Sequence, residues 1–263
     1  MMSAIRVRGF ASKSARSFLL AGLSAALCAS PAAALAPSDY LNGAPLAFTL
    51  PAAPSDPAVV ELELTIVRAA HPAAGSPEAD EAIVDAKAFG ADELVGRFAD
   101  AAQAPLAGKT RPMLVRLLSR ALPEVGHYSE FYKKVAERPR PYIEDPGIAL
   151  CYDNPLHPLD PKRSYPSGHA ANGYSAALLI AEVIPARRQQ ILARGIRYGE
   201  NRLACGAHHP SDVLQGQLIA IAYFRQVSSN DRFKRDVECA RAENAVIEGK
   251  QATLPASCTA PGA

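Results

Sequence analysis

Three short segments of this chain hold residue types suited to gripping an anion and moving protons around it. They read KKVAERPRP (Lys133–Pro141), PSGH (Pro166–His169) and NRLACGAHHPSD (Asn201–Asp212). Lys133, Arg140 and Arg202 offer fixed positive charge, with the planar forks of arginine matched to phosphate oxygens. Ser167 and Gly168 stand where a helix would begin, offering a hydroxyl and backbone N–H groups to an anion, and glycine permits close backbone approach. A neutral imidazole can attack phosphorus while a protonated one donates to the leaving oxygen, which gives His208 and His169 complementary uses. Asp212 can hold one ring in a single tautomer. The chemistry these types would serve is phosphoryl transfer, because the transferred group carries about two negative charges at neutral pH.

Each segment also has a plainer reading. PSGH alone is a serine-capped helix start. His208 and Asp212, spaced i,i+4, suit a metal on one helix face, although no other clustered acids complete such a set. Lys134 and Arg138 fall outside the spacing and read as surface charges. His209 has no assigned role, and His71, His127 and His157 read as surface or packing residues.

The elements that must position these groups are helical. Residues 37–55 are rich in Pro, Ala and Ser and read as extended. Helices are predicted from Ser55 or Asp56 to Ala70, from Ser76 to Phe89 and over 92–102, each start marked by caps or early acids. Met113, Leu114, Leu117, Leu118 and Leu122 follow helical spacing. Pro123 is expected to interrupt that helix, with a further one over 124–137. Seven prolines make 138–166 a loop, and a loop that long in a compact domain is usually functional. Helical patterns resume over 167–184, 186–204, 210–228 and 230–247. SAALLIAEVI within the first of these reads as core. Strand-like alternation is weak throughout, so the fold class is all-α, a single-domain helical bundle.

The N-terminus reads as a leader. Arg6, Arg8, Lys13 and Arg16 precede the apolar run FLLAGLSAALCA (Phe18–Ala29), and PAAALAP offers small-residue cleavage sites after Ala34 or Ala36. The apolar run is too short to span a bilayer comfortably. The division is therefore a signal peptide over 1–36 and one domain over 37–263, with a periplasmic or secreted product. Cleavage leaves 24 basic against 26 acidic residues, a net charge of −2, which argues against a general nucleic-acid binder. No later stretch reaches membrane-spanning length, so no membrane association is expected after cleavage. Cys151, Cys205, Cys239 and Cys258 remain and allow three pairings. Cys151–Cys205 with Cys239–Cys258 is favoured, because the second closes a short C-terminal loop.

Taken together, the segments resemble the signature of the type 2 phosphatidic acid phosphatase superfamily, which includes bacterial class A non-specific acid phosphatases and vanadium haloperoxidases. Lys133, six residues and Arg140-Pro141 match its first part. Pro166–His169 match the second, and Arg202, five residues, His208, three residues and Asp212 the third. SYPSGHA and GENRLACGAHHPSD, in a chain of this size with a leader, are most similar to the class A acid phosphatases. Asn201 departs from the pattern, standing where the family usually has Ser. The resemblance implies the acid phosphatase/vanadium haloperoxidase type of bundle and a broad-specificity phosphomonoesterase needing no cofactor and no metal. His208 would be the nucleophile that becomes phosphohistidine, Asp212 its orienting carboxylate, and His169 the acid. Lys133, Arg140, Ser167, Gly168 and Arg202 would hold phosphate. The implied partners are small phosphomonoesters, nucleotides included as substrates, with homo-oligomerisation left open. A lipid phosphate phosphatase and a vanadate-dependent haloperoxidase are alternatives on the same fold.

Overall fold

The computed structural model of the protein describes residues 40–106, 108–155, 158–250 and 253–259. The expected leader over 1–36 and His157 lie outside them. Among the described residues every regular element is helical and there is no strand, as the weak alternation in the sequence implies.

Helix α1 (Pro57–Ala70) and helix α2 (Pro77–Lys87) each start with proline in the first turn behind a side-chain cap. Asp56 Oδ1 accepts from the Ala58 N–H at 2.8 Å, and Ser76 Oγ from the Ala79 N–H at 3.2 Å. The helix expected over 92–102 is two short ones, α3 (Ala91–Gly96) and α4 (Ala99–Ala102). The chain turns at the join to bury Phe98 completely and to place Arg97 Nε 2.9 Å from Asp85.

Helix α5 (Pro112–Ala136) corrects a sequence-based expectation, since it runs unbroken through Pro123. An interior proline costs a helix about 3 kcal/mol. Burial of one large apolar side chain contributes about 1.5–3 kcal/mol, and α5 buries Leu114, Leu117, Leu118, Leu122 and Val125. Tertiary packing therefore outweighs the local break. Glu124 sits just past the proline with its carboxylate buried. It accepts from the backbone N–H groups of Tyr40 and Leu41 and from the Tyr223 hydroxyl, strapping the extended N-terminal segment across the bundle.

The described residues between Glu137 and Ser167 are irregular, except for one four-residue helix, α6 (Pro141–Glu144), that the sequence reading missed. Helix α7 (Gly168–Val183) follows, then α8 (Arg188–Ala204), α9 (Pro210–Val227), α10 (Asp231–Ile247) and α11 (Ala256–Thr259). Two disulfides, Cys151–Cys205 and Cys239–Cys258, are present as favoured. The first ties the long loop to the C-terminal end of α8, and the second ties α11 to α10. Among the described residues no helix is long and apolar enough to cross a membrane.

Helix α7 is the axis of the core. It is apolar or small on nearly every side, as suits a helix surrounded by others. It packs on α5, α8, α9 and α10. Small residues let these neighbours close in. A Cβ at Gly195 would stand 2.4 Å from Ala177 Cβ, and one at Gly216 would stand 2.4 Å from the Ser167 carbonyl oxygen. The second contact is with backbone at the very start of α7, so the packing of α9 sets where that start lies. Gly216→Ala is expected to lower stability by about 1–3 kcal/mol, the range for overpacking. Gly126→Ala, in α5 with nothing within 4 Å of the added methyl, should raise it by about 0.5–1 kcal/mol. Urea unfolding of the two variants measures both.

Candidate functional site: a cationic cup with two histidines

A cavity of about 510 Å³ opens where the C-terminal end of α5, the start of α7 and the end of α8 meet the long loop. Lys133, Arg140, Gly168, His169, Arg202 and His208 all line it. Lys133 comes from the last turn of α5, Arg140 caps α6, and Arg202 comes from the last turn of α8. Gly206, at φ +67°, makes the turn that brings the chain back from α8 to His208. A Cβ there would stand 2.5 Å from the Ala149 carbonyl oxygen, so the position needs glycine twice over.

The cations are positioned by backbone oxygens rather than by acids. Lys133 Nζ donates to the carbonyls of Arg163 (2.8 Å) and Ser164 (3.2 Å). Arg140 donates to those of Asp160, Arg163 and Ala207. Arg202 is 1% exposed, and its Nε and Nη1 have no hydrogen-bond partner. Buried donors are normally satisfied, so this guanidinium faces the cup with hydrogen bonds to give. Charge crowded out of water is costly. Burial, with the charge of Arg140, pulls the Lys133 ammonium down to about 7. Burial likewise brings Arg202 to about 10, against an upward pull from Tyr198, and it lowers Arg140.

Asp212 lies behind the cup, fully buried at N3 of α9. Its Oδ1 accepts from Arg138 Nη1 at 2.6 Å, and its Oδ2 from Ser164 Oγ at 2.5 Å and the His209 backbone N–H at 2.8 Å. Burial alone would raise this carboxyl. The bonds from His208 and His209 and the charge of Arg138 outweigh it and hold the group well below the usual carboxylate range. His208 Nδ1 is 3.5 Å from the same Oδ2, and His208 Nε2 is 3.2 Å from Arg140 Nη1. A guanidinium only donates. The lone pair of His208 is therefore on Nε2, at the cup, and its proton is on Nδ1, toward Asp212. Burial and the charge of Arg140 push His208 well below its ordinary value, so the ring is neutral.

His169 enters from the first turn of α7, packed beside Phe89 and stacked on Tyr198. Its Nε2 donates to the Ala86 carbonyl at 3.2 Å, which directs proton exchange to Nδ1. Burial and then Arg202 lower this ring too, so it needs added negative charge nearby to hold a second proton. Ser167 Oγ accepts from the Ala170 N–H as the α7 cap, and its backbone N–H donates to the Asp212 carbonyl at 2.9 Å. What the serine retains for an anion is its O–H hydrogen.

One sequence reading changes here, and two residues the sequence left without a role gain partners. Arg138 is not a surface charge. It is 5% exposed and bridges Asp212 to Glu63 of α1, whose other oxygen accepts the Ser211 N–H at 2.8 Å. The place of Arg138, between Glu137 and Pro139, carries no sign of this, because its partners lie far away in the chain. His209 is fully buried between Asp212 and Glu144. Asn201 points away from the cup, donating to Asp85 Oδ2 at 2.7 Å beside Arg97 and Arg194. It anchors α8 to α2. Among the described residues, no three His, Cys, Asp or Glu side chains gather as a metal-holding group.

Residues 112–234, which carry Lys133, Arg140, Ser167, Gly168, His169, Arg202, His208 and Asp212, match the PAP2 superfamily. The chain is 37% identical over 132 residues to an acid phosphatase of Zymomonas mobilis, covering half of each chain. It is 30% identical over 156 residues to a non-specific acid phosphatase of Providencia stuartii (59% of this chain, 62% of the relative). To a non-specific acid phosphatase of Salmonella typhimurium it is 30% identical over 170 residues (64% of this chain, 67% of the relative). It thus spans half to two thirds of the length of these relatives. The chain belongs to the PAP2 superfamily.

The lowered Lys133 makes oxyanion binding pH-dependent with a definite sign. An anion favours the charged ammonium, which the empty site loses as pH rises through about 7. For sulfate, fully ionised throughout, the dissociation constant should rise with pH, and above that point Lys133 adds up to about a further tenfold per pH unit. Lys133→Arg, whose charge does not titrate there, should flatten the curve. Calorimetric titration between about pH 6 and pH 9 measures both.

Proposed function

We propose that this chain is an exported, broad-specificity acid phosphatase that hydrolyses phosphomonoesters through a phosphohistidine without a metal ion. The observation that carries the proposal is Arg202, buried with unspent donors, in one cavity with Lys133, Arg140 and the two histidines. Three cations and the α7 N-terminus can spread charge over the equatorial oxygens of a transferring phosphoryl group, the role metal ions take in many other enzymes. The names of the relatives point to the same activity.

In the first step His208 Nε2 attacks phosphorus and the ester P–O bond breaks. The leaving oxygen takes its proton from His169 Nδ1. In the second step His169 receives a proton from water as the oxygen attacks the phosphohistidine. The P–N bond breaks and inorganic phosphate departs. Asp212 remains an anion throughout and stabilises the Nδ1–H of His208. The bound dianion offsets the depression of His169 and keeps Lys133 charged. Activity then falls on the acid side as His208 is protonated and on the alkaline side as His169 and Lys133 lose theirs, which makes the optimum mildly acidic. The cup mouth mixes Phe89, Tyr152 and Leu159 with Lys87, Glu130 and Asp160, a surface with no single demand on the alcohol. The same reading places residues 1–36 as a cleaved leader and the product in the periplasm or outside the cell.

Rapid quench into alkaline detergent with labelled p-nitrophenyl phosphate should trap a base-stable phosphoenzyme whose label acid then releases, and EDTA should leave turnover unchanged. His208→Ala should abolish the phosphoenzyme and cost about 10³-fold or more in kcat. His169→Ala should cost about 10²–10⁴-fold, most for alcohols that are poor leaving groups. An EDTA-sensitive enzyme, or one fully active without His208, refutes the scheme.

A further inference from the structure

His209 is the one buried histidine for which the scheme above has no use. It is 0% exposed, at the N-cap of α9. Its two ring nitrogens each meet a carboxylate, Nδ1 at 3.2 Å from Asp212 Oδ2 and Nε2 at 2.7 Å from Glu144 Oε2. Glu144 belongs to α6, and its side chain is 24% exposed. A neutral imidazole has one N–H. With both carboxylates ionised, a neutral ring bonded to Glu144 would turn a bare Nδ1 lone pair on Asp212 at hydrogen-bonding distance. Only the imidazolium satisfies both contacts.

Asp212 Oδ2 is the oxygen that faces His208 Nδ1, at 3.5 Å, the longest of its contacts. The position of that oxygen is shared among Ser164, the His209 backbone N–H and the His209 ring. The other charges of this corner are Arg138 on Oδ1 with Glu63 behind it, Arg140 against His208, and the Arg68–Asp145 pair next to Glu144 in the chain. None of these reaches His209 itself in the contacts described above.

We propose that His209 and Glu144 are positioning residues, an imidazolium clamped between two carboxylates that braces Asp212 behind His208. When the proton leaves Nδ1, the ring lone pair opposes Oδ2, the carboxylate swings, and the already long contact to His208 is the one that fails. Glu144 thereby couples the half-exposed surface of α6 to the reactivity of the buried nucleophile. The inference rests on the assignment of His208 as nucleophile, and its test separates the two.

The pH profile of kcat is measured with saturating p-nitrophenyl phosphate for the wild type, Glu144→Gln and His209→Asn. Saturation removes groups that act only in binding. Thermal melting checks that each variant is folded. Glu144→Gln removes the negative charge 2.7 Å from Nε2, so the alkaline limb should move to lower pH. Its plateau kcat should stay within about threefold of wild type. His209→Asn keeps an N–H near Oδ2 that does not titrate, so the His209 limb should vanish from its profile. In parallel, ring ¹⁵N shifts of labelled histidine should show both nitrogens of His209 protonated in the folded wild type, and less so in Glu144→Gln at the same pH. Superimposable profiles in an active enzyme overturn the brace while leaving the phosphatase assignment standing. A wild type without activity overturns that assignment, and the ¹⁵N shifts then decide the brace alone. An Nδ1 that is unprotonated at every pH at which the protein is folded refutes it.

Discussion

A carboxylate buried out of water must be compensated where it stands, and Asp212 is the group on which this constraint falls hardest. It has no solvent contact, and it lies at the start of a helix whose first N–H groups need acceptors. The compensation comes from four directions: Arg138 after α5, Ser164 from the long loop, and the paired histidines that open α9. Through Arg138 and Glu63 the constraint extends to α1. Separately, the backbone carbonyl of Asp212 accepts the Ser167 N–H and so ties the same residue to the start of α7. Elements distant in the chain are thus held in one arrangement by the need to satisfy one anion.

The cup in front of Asp212 has the opposite character. Lys133, Arg140 and Arg202 are gathered with their charges partly unmatched; burial depresses all three, and the charge of Arg140 adds to the depression of Lys133 and Arg202. Carbonyl dipoles of Asp160, Arg163, Ser164 and Ala207 hold two of them without neutralising them. The arrangement is least favourable when empty, and a tetrahedral dianion relieves it. Preorganised charge of this kind favours a group on which negative charge is concentrated. The same field keeps His208 neutral, with its Nε2 lone pair at the cup.

Much of the scaffold was legible because its signals are local. Ser76, Asp56 and Asn230 cap helices, as short polar residues before a helical run do. The disulfide pairing followed from cysteine number and loop length. Pro123 misled because its cost is local, whereas the burial that overrides it depends on partners such as α7 and α10. The helix over 92–102 broke for a similar reason. Phe98 and Arg97 have destinations, the core and Asp85, that no neighbouring residue announces.

The chemistry of the cup was written in the chain. The spacing of Lys133 from Arg140, the Pro166–His169 turn, and Arg202, His208 and Asp212 along one helix-to-helix passage have the residue types that suit an oxyanion. Tertiary structure alone decided which charges are bare and which are spent. Arg138 and Arg202 are both arginines beside a motif, yet one is consumed by two carboxylates and the other is left with donors to give. His209 became a bridge because α6 carries Glu144 to it. Residue type determines what a side chain can do. Its partners depend on how separate segments pack, and the electrostatic energy of a buried group is set almost entirely by those partners.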